Sequence, residues 1–342
     1  MRYYIGDVEV GSAGGVVIPA RVLAEIVREL PDETIDIWAE DSVCHIVGSN
    51  SKFKVRGEPV EEFPEVPGFS EGGALEIDGL VLREMVQRTR FAIALVRSTY
   101  ALNGALLVTQ AGKKDVEMVG ADGRRLARVR RKAIKAAPES ARAIIPPKAL
   151  VQLEKMVGSD AVGEDETAEA EESGKGKKET GRKPAGPRVR IRLDERRLLA
   201  TCGSAVLVAQ LVEGRYPDYE EVIPTDLDKK AVLDREVFLA ALRRASLMAA
   251  RDSRAVKFDF GPGRLTLSAE QPDAGESRVE LDIEYSGTPA SILLNPDYLA
   301  DMLRACDEET LTMEFKSPNK PCLLQTAKDY LYLVMPITRE EV

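Results

Sequence analysis

Histidine and cysteine are scarce in this chain of 342 residues. His45 is the only histidine, which largely excludes a histidine-based catalytic triad and a His-rich metal site. The four cysteines, at positions 44, 202, 306 and 322, are scattered, and none belongs to a CxxC pair. Cys44 beside His45 cannot hold zinc alone. We expect the cysteines to be small buried residues in a reducing cytosol, and we predict neither a metal site nor a cofactor.

Long apolar runs and an excess of positive charge are also missing. No apolar run is long enough to cross a membrane, and the start MRYYIGDVEV has no signal-peptide core, so we expect a cytoplasmic protein. The net charge of -9 argues against a protein that coats nucleic acid with its whole surface, but not against a local basic face. The length and the 44% hydrophobic content suffice for two or three domains.

Five segments carry helix-start patterns that repeat along the chain. IPARVLAEIVREL from Ile18, IPPKALVQLEKMV from Ile145 and LNPDYLADMLRAC from Leu294 each place proline or asparagine at the entrance of a helix with one apolar face. DGLVLREMVQRTRFAIA from Asp78 and DREVFLAALRRASLMAA from Asp234 each begin with an aspartate placed to cap a helix. The repetition indicates a chain built from similar modules.

The connectors between these helices repeat as well. FPEVP at 63–67 resembles YPDYEEVIP at 216–224, and each precedes an Asp-started helix. The longer repeat intervals all include 158–186, a charged, Gly-rich stretch that we interpret as a disordered insertion. Without it, one period of about 125 residues remains. The predicted modules are 73–229 and 230–342, whereas 1–72 holds only the second half of a further module.

Short alternating segments lie between the helices. TIDIWAE, KFKVRG, RVRIRL, AVKFDF and RVELDIEYS alternate apolar and polar residues and are bounded by turn residues. This alternation is typical of antiparallel strands with one buried face. Each full module is therefore predicted to be α+β, with two helices packed on antiparallel sheets.

Basic residues concentrate on the predicted helices of this acidic chain. They recur along one side of four of the five helices. This side is either a solvated face or a surface that meets phosphate groups. Since no base-reading motif accompanies it, contact with DNA would be independent of sequence and sensitive to salt. The residues concerned are Arg21, Arg28, Arg83, Arg90, Lys148, Lys155, Arg243, Arg244 and Arg251.

Leu247 interrupts the arginine side of the helix that starts at Asp234. A single exposed leucine is common and needs no explanation. Beside Met248, at the edge of the same face, it is a candidate for a protein interface.

Together, the repeats, the connectors and the C-terminal end resemble the beta subunit of bacterial DNA polymerase III, the sliding clamp. The matching stretches are LNGALL (102–107), GADGRRLA (120–127), LVEGRYPDYEEVIP (211–224), LNPDYLADML (294–303) and YLYLVMPI (330–337). The resemblance implies a DNA clamp fold without an active site. In that fold two chains form a head-to-tail ring around duplex DNA, with the helices lining the hole and the sheets outside, and the ring tethers the replicative polymerase.

The family resemblance also implies a pocket between the middle and C-terminal modules that holds a short peptide. Its occupants would come from the polymerase III alpha subunit, the clamp loader, other polymerases or repair proteins. An apolar floor with backbone groups at the rim suits such a peptide. The matching positions are Leu102, Gly123, Arg124, Arg125, Leu126, Pro217, Val222, Asn295, Tyr298, Leu333, Val334, Met335, Pro336 and Ile337.

Ring closure and DNA contact map onto other positions. The implied ring interface joins Phe53 and Val55 of one copy to Leu247 and Met248 of the next, and the implied DNA contacts near the middle module's first loop are Arg97 and Tyr100. The chain departs from the family pattern in four ways. Glu221 stands where some members carry a basic residue, and Ser253 stands where some carry phenylalanine. The tail TREEV runs past the usual end of the family, and the resemblance leads us to expect that the first half of the N-terminal module is absent from this chain.

Two alternatives stay open. One is a truncated clamp-like paralogue that binds partner peptides without encircling DNA. The other is an enzyme that uses a carboxylate cluster such as Asp301–Asp307, although no carboxylates in the sequence have metal-ligand spacing.

Overall fold

The computed structural model describes residues 1–6, 8–63, 67–69, 72–95, 100–158, 186–250, 252–326 and 329–338. These residues form two compact units, Arg2–Gly68 and Phe69–Val342, the second together with Met1. The predicted disordered insertion lies almost wholly outside the described residues, as do Arg97 and Arg251.

In the part of the smaller unit that the structure describes, one α-helix and a short 3-10 helix, Val60–Glu62, accompany a three-stranded antiparallel sheet. The helix α1 (Ala20–Glu29) follows Pro19. The sheet has the order β2-β3-β4. Cys44, Ile46 and Val55 are its buried residues, and Leu23 and Ile26 of α1 pack against them. The strands of this unit are β1 (Arg2–Tyr3), β2 (Asp36–Glu40), β3 (Val43–Val47) and β4 (Lys52–Arg56).

Among the described residues of the larger unit there are four α-helices, and side-chain caps fix the starts of three of them. The carboxylate of Asp78 accepts from the backbone N–H groups of Leu80 and Val81, and that of Asp234 accepts from Val237. The amide oxygen of Asn295 accepts from Asp297. These bonds satisfy amides that have no partner inside the helix, as predicted. The helices are α2 (Gly79–Arg90), α3 (Pro147–Gly158), α4 (Arg235–Ala245) and α5 (Pro296–Ala305).

The strands of the larger unit pair antiparallel throughout. The first are β5 (Leu75–Asp78), β6 (Ala105–Thr109), β7 (Asp115–Ala121), β8 (Arg125–Lys132), β9 (Ala141–Ile145), β10 (Arg188–Leu193), β11 (Arg197–Cys202) and β12 (Ala205–Gln210). The remainder are β13 (Lys229–Asp234), β14 (Val256–Gly261), β15 (Arg264–Gln271), β16 (Gly275–Asp282), β17 (Glu284–Ser286), β18 (Ala290–Leu294), β19 (Thr310–Phe315), β20 (Cys322–Thr326) and β21 (Tyr330–Val334).

Three sheets arise from these strands. One contains β12-β11-β10-β5, and another has the order β16-β15-β14-β18. The third runs unbroken over nine strands in the order β17-β13-β19-β20-β21-β8-β7-β6-β9. Its central β21–β8 pair joins the end of the chain to strands that lie about two hundred residues earlier. Middle and C-terminal segments therefore share one sheet.

The helices bury the apolar faces that their spacing predicts. Leu150 and Leu153 of α3 are buried, as are Leu299 and Met302 of α5. The α+β prediction is confirmed. One local prediction is wrong: α4 ends at Ala245, and Leu247 lies in a short 3-10 turn, Ser246–Met248, and not on the helix itself.

Candidate peptide-docking site at the junction of the middle and C-terminal segments

The β21–β8 pair brings predicted pocket residues together. Leu333 lies opposite Leu126 in the register of the two strands. Both side chains are buried, and they share one apolar cluster with Leu102. Val334, the next residue, points to the other face of the sheet and belongs to the main core. Strand alternation thus assigns Leu333 to the candidate floor and Val334 to the scaffold beneath it.

A tight turn before β8 holds the rim of the junction. Gly123 has a φ of +91°, a conformation that side chains disfavour, so glycine suits this position. The carboxylate of Asp122 accepts from the backbone N–H groups of Arg124 and Arg125, at 2.9 and 3.0 Å. The predicted Gly–Arg–Arg stretch is therefore shaped by a local Asx-type turn.

The segment after β21 is tied to both sides of the junction. The backbone N–H of Met335 donates to the carbonyl of Arg124 at 2.8 Å, and that of Ile337 donates to Leu293 at 2.9 Å. Pro336 between them is buried, whereas the Met335 side chain is 40% exposed. These two backbone hydrogen bonds fix the segment 335–337, in which the apolar side chain of Met335 is partly exposed.

Arg125 bridges the junction. Its guanidinium donates to Asp122 at 2.9 Å, to Asp301 of α5 at 2.8 Å and to the carbonyl of Phe91 at 2.7 Å. It also lies 4.4 Å from the ring centroid of Tyr298. Burial lowers the pKa of Arg125, but its neighbours, among them Asp301 and Asp122, outweigh this effect, and the net shift is upward. Arg125 is thus a fixed cation that connects β8 to α5.

The remaining predicted pocket residues either lie at the surface or stabilise the surrounding structure. Val222 is 51% exposed, and Pro217 is half-buried. The oxygen of the Asn295 side chain caps α5. Two residues depart from the family pattern here: Glu221 is exposed, and the half-buried Ser253 accepts from the N–H of Ala255 at 3.4 Å.

The connector 214–224 is anchored by two tyrosines that sequence reasoning did not place in the site. Tyr216 and Tyr219 are buried in the same apolar cluster as Leu102. The Tyr216 hydroxyl donates to the carbonyl of Val119 at 3.2 Å, and the Tyr219 hydroxyl donates to the Glu117 carboxylate. The only sequence signal was two tyrosines spaced within a proline-bounded connector.

The basic residues assigned to DNA contact are exposed where the structure describes them. Arg21 pairs with Glu25 at 2.8 Å, and Arg90 pairs with Glu154 at 3.5 Å. Tyr100 is 48% exposed. The other exposed members are Arg28, Arg83, Lys148, Lys155, Arg243 and Arg244. Helices α2, α3 and α4 therefore carry positive side chains that are accessible to a large anion.

The predicted interface residues differ in accessibility. Leu247 is 74% exposed and Met248 is half-buried. In the smaller unit, Phe53 is half-buried, and the Val55 side chain lies in the core beside Cys44. In this unit Val55 serves packing, so Phe53 is the more accessible of the two.

The contacts at α5 do not favour an enzyme that uses the carboxylates between Asp301 and Asp307. Asp301 is engaged by Arg125 and by Arg304, the latter at 3.1 Å. Within the described ranges, no group of three or more His, Cys, Asp or Glu side chains could hold a metal ion. In the same part of the chain, no helix is long and apolar enough to span a membrane.

The α+β architecture is consistent with a DNA clamp fold, and comparisons with known proteins identify the family. Three models of the DNA polymerase III beta subunit match in order: the N-terminal domain over 4–67, the central domain over 76–165 and the C-terminal domain over 220–338. The chain therefore belongs to the DNA polymerase III beta subunit family, the beta sliding clamps, which are non-catalytic processivity factors of DNA replication.

Individual relatives agree with this assignment. The chain is 28% identical over 330 residues to the beta sliding clamp of Chlamydia muridarum, covering 96% of this chain and 82% of the relative. It is 27% identical to that of Caulobacter vibrioides over 339 residues, covering 97% and 84%.

Solved clamps share the fold. The beta subunit of Thermotoga maritima matches with a TM-score of 0.82 at 27% identity, covering 97% of this chain and 83% of that one. The clamp of Pseudomonas aeruginosa bound to griselimycin matches with a TM-score of 0.81 at 28% identity, covering 94% and 80%.

Proposed function

We propose that this chain encircles duplex DNA as a head-to-tail ring of two copies and tethers the replicative polymerase to it. The observation that carries this proposal is the ordered match to all three clamp domains, combined with exposed basic side chains on α2, α3 and α4 of a chain whose net charge is -9. Phosphate contacts of this kind are independent of sequence and weak, which suits a ring that must slide. The proposed modules are 1–72, 73–229 and 230–342.

Leu247 supports the ring. A large apolar side chain that is 74% exposed beside a helix end is suited to an interface with a second copy. In a head-to-tail ring this surface would meet a different surface on the next copy, on the unit that holds Phe53.

The junction supports a second activity, the docking of partner peptides. The buried floor of Leu102, Leu126 and Leu333 belongs to the same apolar cluster as Tyr216 and Tyr219 of the connector. Val222 of that connector and Met335, which follows β21, carry exposed apolar side chains. We infer that a short linear peptide from the polymerase III alpha subunit, the clamp loader, another polymerase or a repair protein places apolar side chains there. Glu221 at the rim is expected to disfavour acidic peptides.

Topological loading is the decisive test of the ring. The protein is loaded onto nicked circular DNA with a clamp loader and washed in high salt, and the DNA is then linearised. A ring stays on the circle and leaves the linear form. Equal loss from both forms contradicts encirclement, and retained peptide binding in that case identifies the docking-only alternative.

A peptide array tests the docking site separately. Overlapping peptides that span the polymerase III alpha subunit are labelled with fluorescein and titrated with the chain. Binding of one segment that Leu126→Asp or Leu333→Asp abolishes is the expected result. A peptide that binds all variants equally would place docking elsewhere.

A further inference from the structure

The connector 214–224 keeps a defined path although it forms neither a helix nor a strand. Within this fully described segment, the backbone takes turn, bend and irregular conformations. Yet Tyr216 is 6% and Tyr219 only 3% exposed, while Val222 is 51% exposed. The buried side chains of Tyr216 and Tyr219 therefore anchor the connector to the protein, whereas the apolar side chain of Val222 faces the surface.

The Tyr219 ring is held on several sides. Its hydroxyl donates to the carboxylate of Glu117 on β7. Its ring packs edge-on against Tyr216, with centroids 6.4 Å apart and an interplanar angle of 77°. The guanidinium of Arg142 lies 5.8 Å from the ring centroid. These contacts fix both the position and the rotation of the ring.

Glu117 is a buried carboxylate whose charge is balanced. It is 7% exposed, it accepts from the Arg130 guanidinium, and Arg128 lies 3.9 Å away. Arg130 also pairs with Glu220 of the connector at 3.8 Å. These contacts link Tyr219 and Glu220 of the connector to Glu117 of β7 and Arg130 of β8. A buried charge with such partners has a defined place, because moving it would leave it unpaired.

The phenol keeps its proton over the working pH range. Burial raises the pKa of Tyr219, and the bond to Glu117 raises it further. The hydroxyl is thus a permanent donor to the carboxylate.

We propose that Tyr219 and Glu117 are positioning residues of the peptide-docking site, which hold the connector so that Pro217 and Val222 form a preformed wall. The inference rests on the proposed docking function. Pro217 lies two residues before Tyr219, and Val222 lies three residues after it, so a fixed Tyr219 restricts both. A wall that is ordered before binding spares the peptide complex the entropy cost of ordering it.

The test removes or replaces one hydrogen-bonding group of this network at a time. Tyr219→Phe keeps the ring and loses the hydroxyl, and Glu117→Ala loses the acceptor. Glu117→Gln keeps an acceptor for the phenol. Tyr285→Phe is the matched control, since it loses a hydroxyl that donates to the carbonyl of Thr288 at 2.7 Å, near β17.

Two quantities are measured on the full chain. They are the Kd of the alpha-subunit peptide that binds the unchanged chain most tightly, and the hydrogen exchange of amides in 214–224. For Tyr219→Phe and Glu117→Ala we expect a Kd increase of about tenfold, the size of one lost hydrogen bond to a charged group, with faster exchange in the connector. Glu117→Gln should recover most of both, and Tyr285→Phe should change neither.

The outcomes separate the two proposals. If the unchanged chain binds no alpha-subunit peptide, the docking function itself fails, and this inference fails with it. If the unchanged chain binds but Tyr219→Phe leaves Kd or connector exchange unaltered, the positioning role alone is overturned. Should Tyr219→Phe not fold, Tyr216→Phe, which loses the bond to the Val119 carbonyl, is compared in the same way.

Discussion

Arg88 of α2 donates through one guanidinium nitrogen to both carboxylate oxygens of Glu308, at 3.1 and 3.0 Å. The Arg88 side chain is 1% exposed and also pairs with Glu84 at 3.0 Å. Its guanidinium lies 5.1 Å from the Tyr330 ring centroid, and its backbone carbonyl accepts from the Tyr330 hydroxyl at 2.9 Å. A buried cation thus connects the middle segment to the segment that follows α5.

We expect Arg88→Met to destabilise the chain by about 3–5 kcal/mol, because Arg88 is the 1% exposed partner in ion pairs with Glu84 and Glu308 and removing one partner of a buried pair is costly. Chemical denaturation followed by circular dichroism measures this loss. Arg21→Ala is the control, since its pair with Glu25 joins side chains that are 91% and 56% exposed and should contribute almost nothing. Equal midpoints for Arg88→Met and the unchanged chain would contradict the role of Arg88.

Cys306 makes stability depend on pH in the alkaline range. Burial raises the pKa of this thiol from its ordinary 9.0 to about 12. Above pH 9 the unfolded chain therefore loses a proton that the folded chain keeps, so the contribution is full below pH 9 and is lost as the pH rises to about 12.

Comparison with Cys306→Ala isolates this contribution. The free energy of unfolding, measured in urea at several pH values from 9 to 12, should fall less steeply in the variant, by about 1.4 kcal/mol per pH unit. Tyrosines and lysines titrate in both proteins, so the difference between the two curves reports the thiol. Parallel curves would show that the Cys306 thiol does not titrate differently in the two states.

Local sequence signals predicted the helix starts well. Asp78 and Asp234 cap α2 and α4 as expected, because capping involves only neighbours in the chain. Strands with one buried face, such as β10, were visible from alternation. The strand β21 was not visible in this way, because all five of its residues are buried and it shows no period of two.

The site was less accessible to sequence reasoning because its contacts are distant in the chain. Arg88 and Glu308 are 220 residues apart, and Glu117 and Tyr219 are 102 apart. No local pattern distinguishes the buried Arg88 from the exposed Arg83 or Arg90 on the same helix. Pocket positions came from the family resemblance, whereas the anchoring of the connector and of Arg125 required the fold.

Leu247 is expected to be essential for the proposed ring. Leu247→Asp places a charge in an apolar interface, so analytical sedimentation should find monomers at concentrations where the unchanged chain is dimeric. Val237→Asp, on the exposed side of α4 at 51% exposure, introduces the same charge nearby and should leave the dimer intact. A dimeric Leu247→Asp protein would reject this interface.

The lysines of α3 are expected to meet phosphate groups. Reversing Lys148 and Lys155 to glutamate should slow loading onto DNA and reduce the salt dependence of DNA association, by about 0.9 in the log–log slope for each phosphate that the variant no longer neutralises. Lys113→Glu with Lys132→Glu gives the same charge change on exposed positions of the β7–β8 region. If both double variants load alike, the effect reflects net charge alone and the assignment of α3 to DNA is wrong.

The segment that begins at Met335 should be required for peptide docking but not for dimer formation. A chain that ends at Val334 loses the apolar side chain of Met335 and the backbone bonds to Arg124 and Leu293. We expect it to lose binding of the alpha-subunit peptide in fluorescence titration while sedimenting as the unchanged chain does. A chain that ends at Thr338 keeps these groups and serves as the control. Met335→Ala keeps the backbone bonds, and it should weaken peptide binding about tenfold because less apolar surface is buried against the peptide. If Met335→Ala and the chain that ends at Val334 both bind the peptide with unaltered affinity, Met335 does not belong to the docking site.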